Sequence, residues 1–156
     1  MNKIIRLYPL LLFAFVACKS DSPAPQRNVE VRITGTNLRR EWGSVVDIAT
    51  VTPLPSVSSR LNVRSELIMD VLRDTVFTYH FPDRNWGGTD MVQFSLEMDH
   101  IVRGGSMQLP SNASLKGEII IDGVVKSTGV LNSSSPFPIA NPNSGLYLYM
   151  REAVGN

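Results

Sequence analysis

Beyond residue 28, apolar and polar residues alternate with a period of two along much of the chain, the pattern of strands that bury one face. Val29, Val31 and Ile33 alternate with Glu30, Arg32 and Thr34 before Gly35 and predict a first strand. Val46 and Ile48, within Val45 to Val51, predict a second, which Thr52-Pro53-Leu54-Pro55 stops because proline cannot donate to a ladder. In Val76 to Phe81 the rings of Phe77, Tyr79 and Phe81 share one face, so these aromatics are expected at the centre of the core. Val92, Phe94, Leu96 and Met98 repeat the design against Gln93, Ser95 and Glu97, and Leu146 to Met150 supplies a last strand. Asp122-Gly123 between two β-branched runs has the chemistry of a type I′ hairpin turn. Asp83 to Asp90 and Arg103-Gly104-Gly105 read as loops.

Residues 61–72 fit two patterns. Leu67, Ile68, Val71 and Leu72 make a helical stripe, while Leu61, Val63, Leu67 and Met69 make a strand with one irregularity; strand is favoured because the segments on either side are extended. About seven strands at roughly regular spacing describe an all-β, two-sheet antiparallel β-sandwich.

The first residues follow another grammar. Asn2, Lys3 and Arg6 precede the apolar run Leu7 to Ala17. As a helix that run would rise only about 16 Å, against about 30 Å of bilayer hydrocarbon, so it reads as a signal peptide rather than a span. Phe15-Val16-Ala17-Cys18 places a small residue directly before the only cysteine. This resembles the lipobox of bacterial lipoproteins, which implies cleavage before Cys18 and acylation of its thiol and amino group. A lone cysteine is more commonly a buried structural one, but its place after a signal-like run favours the anchor. Lys19-Ser20-Asp21-Ser22-Pro23-Ala24-Pro25-Gln26 has no periodicity and reads as a disordered tether. The expected organisation is thus a signal peptide at 1–17, a tether at 18–27 and a β-sandwich at 28–156. The Lys-Ser-Asp opening is similar to that of Bacteroidetes-type lipoproteins and implies an address in the cell envelope, at the outer membrane, on its periplasmic or surface leaflet.

Composition narrows the function classes. The 156 residues are 43% hydrophobic and 19% charged, with a net charge of +1 and the basic residues interleaved with acids, so no nucleic-acid footprint is present. With one cysteine, intramolecular disulfides are excluded and the fold must rest on its core.

Three stretches carry a wider resemblance: Val29 to Gly35, Asp74 to Pro82, and Lys116 to Ser127. In order and style they resemble small MmpS-like lipoproteins, which implies an Ig-like β-sandwich and, by way of the mycobacterial members, an association with membrane proteins that export lipids. That family contributes no catalytic residues, and 53–73 departs from its pattern.

Reactive constellations are scarce in the chain. No nucleophile elbow, Walker loop, zincin motif or dinucleotide fingerprint occurs. Zinc needs three or four convergent ligands, and His80 and His100 with Asp99 would be the candidate set, against the ordinary reading of two solvent-facing or hydrogen-bonded histidines at strand ends twenty residues apart. Asp83, Asn85 and Gly88 fall at the first, third and sixth positions of a calcium loop, but Gly87 and Phe94 break the fifth and twelfth. Trp86, with Asp83 and Asn85, is a candidate ligand-binding group, a stacking platform for a sugar, set against the alternative that the indole folds back over the sandwich end. Trp42 is assigned to the core. Asp70 with Asp74 and Glu97 with Asp99 are neighbouring acids, the second pair sharing a strand face, without the opposed geometry of a glycosidase.

The expectation is an envelope-anchored lipoprotein acting as a non-catalytic binding or accessory subunit, with no cofactor and no metal, the membrane as one partner and an envelope protein or glycan as another. A surface carbohydrate-binding module and an envelope hydrolase are the alternatives, and pairing through an exposed edge strand is a further option.

Overall fold

The computed structural model describes residues 26–54, 61–82, 84–137 and 145–155. The expected signal peptide, the expected lipidation site Cys18, most of the expected tether, and Asp83 lie outside them. Eight strands follow in order: β1 (Val29–Thr36), β2 (Ser44–Pro53), β3 (Leu61–Asp70), β4 (Thr75–His80), β5 (Met91–Val102), β6 (Ser114–Ile121), β7 (Val124–Asn132) and β8 (Gly145–Ala153), with one short 3-10 turn at Arg40–Trp42. They form two antiparallel four-stranded sheets, β4-β1-β6-β7 and β3-β2-β5-β8, packed as a sandwich. The sequence pattern suggested about seven strands.

The neighbour relations explain the Ig-like character. β1 lies beside β4 in one sheet, β2 beside β5 in the other, and β8 on the far side of β5, which are the pairings of strands B with E, C with F, and F with G. β6, half of the β6–β7 hairpin, stands beside β1 where such a fold places its first strand.

The core sits between the sheets. Val31, Ile33, Val46, Ile48, Val92, Phe94, Leu96, Met98, Leu115 and Ile119 are wholly buried, and they are the inward positions of the period-two pattern. The aromatic trio does not form its centre. β4 is an edge strand, so Phe77 and Tyr79 are only half-buried, and Phe94, on a central strand, takes the middle.

Residues 61–70 are a strand. Ile48 pairs with Leu67 and Ala49 with Ser65, which leaves Glu66 as an extra residue. The bulge switches the phase: Leu67 and Met69 face the core, whereas Leu61 and Val63 lie on the outer face and are exposed. At the hairpin, Asp122 and Gly123 adopt φ of 52° and 77°, as a type I′ turn requires.

Register also fixes the two ends. The chain enters beside the hairpin turn, where Asp122 N–H donates to the Asn28 carbonyl at 2.8 Å and Arg27 bonds the Asp122 carboxylate at 2.6 Å. Phe81, Trp86, Asp90 and Val154 share this end, and the β1–β2, β3–β4 and β5–β6 connections lie at the other.

Candidate binding surfaces

The loop from Arg84 to Asp90 is organised by a buried acid. The Asp90 carboxylate accepts from Thr52 Oγ1 at 2.9 Å, from the Gly87 N–H at 2.9 Å and from Arg84 Nη2 at 3.3 Å, and the Asp90 carbonyl accepts from Val154 N–H at 2.9 Å. A buried carboxylate needs such partners, and here they tie loop, β2 and the C-terminal segment together. Trp86 is turned inward and only 3% exposed, edge-on to Phe81 at 5.5 Å, with the Arg84 guanidinium 4.3 Å from its ring centroid. The indole closes the sandwich end and offers no open face for stacking, because covering the core outweighs display of so large an apolar ring. Asn85 is exposed beside it. Trp42 is a core residue, held by the 3-10 turn.

The histidines are separated. His80 is exposed on the outer face of the first sheet, with Nδ1 3.5 Å from Glu30, and His100 Nδ1 lies 2.7 Å from the Glu41 carbonyl. Among the described residues no group of three or more His, Cys, Asp or Glu could hold a metal ion. Asp74 accepts from the Leu38 N–H at 2.9 Å, while Asp70 stands opposite Val45 on β2, so these two acids serve different neighbours.

The outer faces of the two sheets differ in kind. That of β4-β1-β6-β7 is balanced: Glu118 pairs with Lys116 at 2.7 Å and Arg32 at 3.9 Å, and Glu30 faces His80. That of β3-β2-β5-β8 carries Asp47, Asp70, Glu97 and Asp99 with no ion pair to any of them among the described residues, although Ser65 donates to Asp47 at 3.1 Å. Burial, then the hydrogen bond and charge of Asp99, push the Glu97 carboxyl above its ordinary range. Register places Tyr147 opposite Glu97 and Tyr149 opposite Ser95, and the two rings lie 6.3 Å apart, 41% and 56% exposed. Burial is also the main cause that raises the Tyr147 hydroxyl, with the negative charge of Glu97 adding to it against a hydrogen bond to Ser95.

A small cavity of about 310 Å³ lies at the end remote from Asn28, lined by Ile101, Met107, Leu109, Phe137 and Leu146. Its Ser135 hydroxyl is already committed to the Val130 carbonyl at 3.2 Å.

Sequence reasoning passed over the tyrosine pair. The signal was present, because Tyr147 and Tyr149 occupy the polar phase of a strand whose apolar phase is Leu146, Leu148 and Met150. Against known proteins, no family model matches the chain and no curated protein matches it.

Proposed function

We propose that this chain is an envelope lipoprotein, anchored through an acylated Cys18, whose sandwich serves as a non-catalytic binding or accessory subunit. The anchor rests on Phe15-Val16-Ala17-Cys18 behind a basic, apolar leader. The binding role rests on one observation, the outer face of β3-β2-β5-β8, where two exposed tyrosines stand beside carboxylates that make no ion pair among the described residues, Arg151 on the same face being bonded to Gln93. Exposed aromatic rings and uncompensated charge cost a free domain solubility and self-repulsion, and a partner relieves both.

Labelled palmitate incorporation tests the anchor: the wild type should take up label and Cys18→Ala should not. Label retained in Cys18→Ala would end the lipoprotein reading. A glycan is the second reading, favoured by the side-by-side tyrosines rather than by Trp86. A glycan array probed with wild type and Tyr147→Ala/Tyr149→Ala should show binding that the double variant loses; a blank array for the wild type removes this reading.

A further inference from the structure

Each of the four sheet margins is an edge, and three of them are blunted. β3 carries the Glu66 bulge together with Arg64 and Glu66, devices that discourage strand pairing. β7 and β8 pack on one another across the sandwich: Ser127 Oγ donates to Glu152 at 2.5 Å, and a Cβ on Gly129 would meet the Leu148 and Met150 side chains. β4 has none of this. It pairs with β1 without a register shift, contains no proline, lysine or carboxylate, and has His80 as its single basic residue. Val76 is 73% exposed.

The backbone says which groups the edge presents. Phe81 N–H donates to the Val29 carbonyl at 3.1 Å. Antiparallel pairing alternates, so the odd residues Phe77 and Tyr79 direct their N–H and C=O toward β1, and Val76, Thr78 and His80 direct theirs to the open side.

We propose that β4 pairs antiparallel with β4 of a second copy of this chain, about a two-fold axis through Thr78. In that register Thr78 meets Thr78 of the partner subunit, and Val76 meets the partner's His80. All three residues use both backbone groups, which makes six hydrogen bonds. A shift of the axis by one pair in either direction strands one of them. The side chains agree with this register. Phe77 faces the partner's Tyr79 twice over, covering the two half-buried rings on the inner side, and threonine stands against threonine on the outer; aromatic and Thr–Thr cross-strand pairs are among the favourable ones. The two first sheets then join into one of eight strands. The interaction is independent of the anchor and of the tyrosine face.

Disulfide trapping of the full chain tests it, because Cys18 is the only native cysteine and the wild type reports whatever that thiol does alone. A hydrogen-bonded pair has Cα atoms about 5.5 Å apart, within disulfide reach, whereas two copies of residue 76 would sit roughly 13 Å apart along the strands. Mild oxidation should therefore convert Thr78→Cys to a covalent dimer well above the wild-type level. Val76→Cys and His80→Cys should each remain at that level alone and cross-link when mixed. The proposal is overturned if Thr78→Cys, with a native circular dichroism spectrum, gives no excess dimer, or if all three single variants cross-link equally.

Discussion

Gly117 on β6 lies directly beneath the ring of Phe94 on β5, so close that a Cβ there would stand 2.7 Å from Cζ and 2.8 Å from Cδ2. Gly129, its partner across the β6–β7 ladder, makes the same room for Met150 and Leu148. The two glycines form a recess into which the central phenylalanine and the β8 side chains fit.

Gly117→Ala should accordingly destabilise the domain by about 1–3 kcal/mol, the usual range for overpacking a core. Urea unfolding would measure it, and Gly117→Ala combined with Phe94→Leu should recover part of the loss. Unchanged stability in Gly117→Ala would show that the ring moves freely.

Trp86→Ala should behave as a core truncation, at about 3–5 kcal/mol, since the indole is 3% exposed. Asp90→Ala should cost about 1–3 kcal/mol, because the Thr52 hydroxyl and Gly87 N–H lose their acceptor. Thermal unfolding distinguishes these from the surface variant Asn85→Ala, for which little change is expected.

Glu97 binds its proton more tightly in the folded state than in the unfolded chain, where its ordinary value is 4.5. Its contribution is therefore fully present below that pH and is lost as pH rises through the higher folded value. Glu97→Gln should leave a flatter stability curve between mildly acidic and neutral pH, with stability at neutral pH equal to or above the wild type. A steeper curve in the variant would refute the raised Glu97 carboxyl that burial, and then Asp99, produce.

Asp122 has the opposite sign. The Arg27 guanidinium, then the Asn28 N–H, hold its carboxyl below the ordinary 3.8. Its stabilisation is present above that value and is lost as pH falls through the folded value. Arg27→Ala should shift the acid unfolding midpoint upward, a change readable by tryptophan fluorescence, and leave the neutral-pH fold intact.

Much of this architecture is written as alternation. Val92 to Met98 and Val29 to Ile33 bury the positions the pattern names, because a strand on a closed core has no other way to hide them. Asp122-Gly123 needed no tertiary context, since the turn is local chemistry. The failures are tertiary. Phe77 and Tyr79 show a core-like pattern but sit on a margin, and sheet order is not encoded in any one strand's periodicity. The strand over 61–70 and its one irregularity were legible, while the placing of that irregularity at Glu66 comes only from the pairing with β2. Trp86 was legible as a loop aromatic, and the cation over its ring and the acid beneath its loop were not, because Arg84 and Asp90 gain meaning only when the loop folds back.

The seam between β7 and β8 makes the sandwich asymmetric from one flank to the other. It acts as a spine, while β3 and β4 are the free margins of two leaves. Amide deuterium uptake of the monomer should report this, beginning at Val76, Thr78 and His80, whose N–H groups face outward and would be slowed by the proposed β4–β4 pairing, and reaching the middle strands only when the leaves part. Loosening would thus run across the strands, from margin to spine, and the hinge side would be the last to exchange.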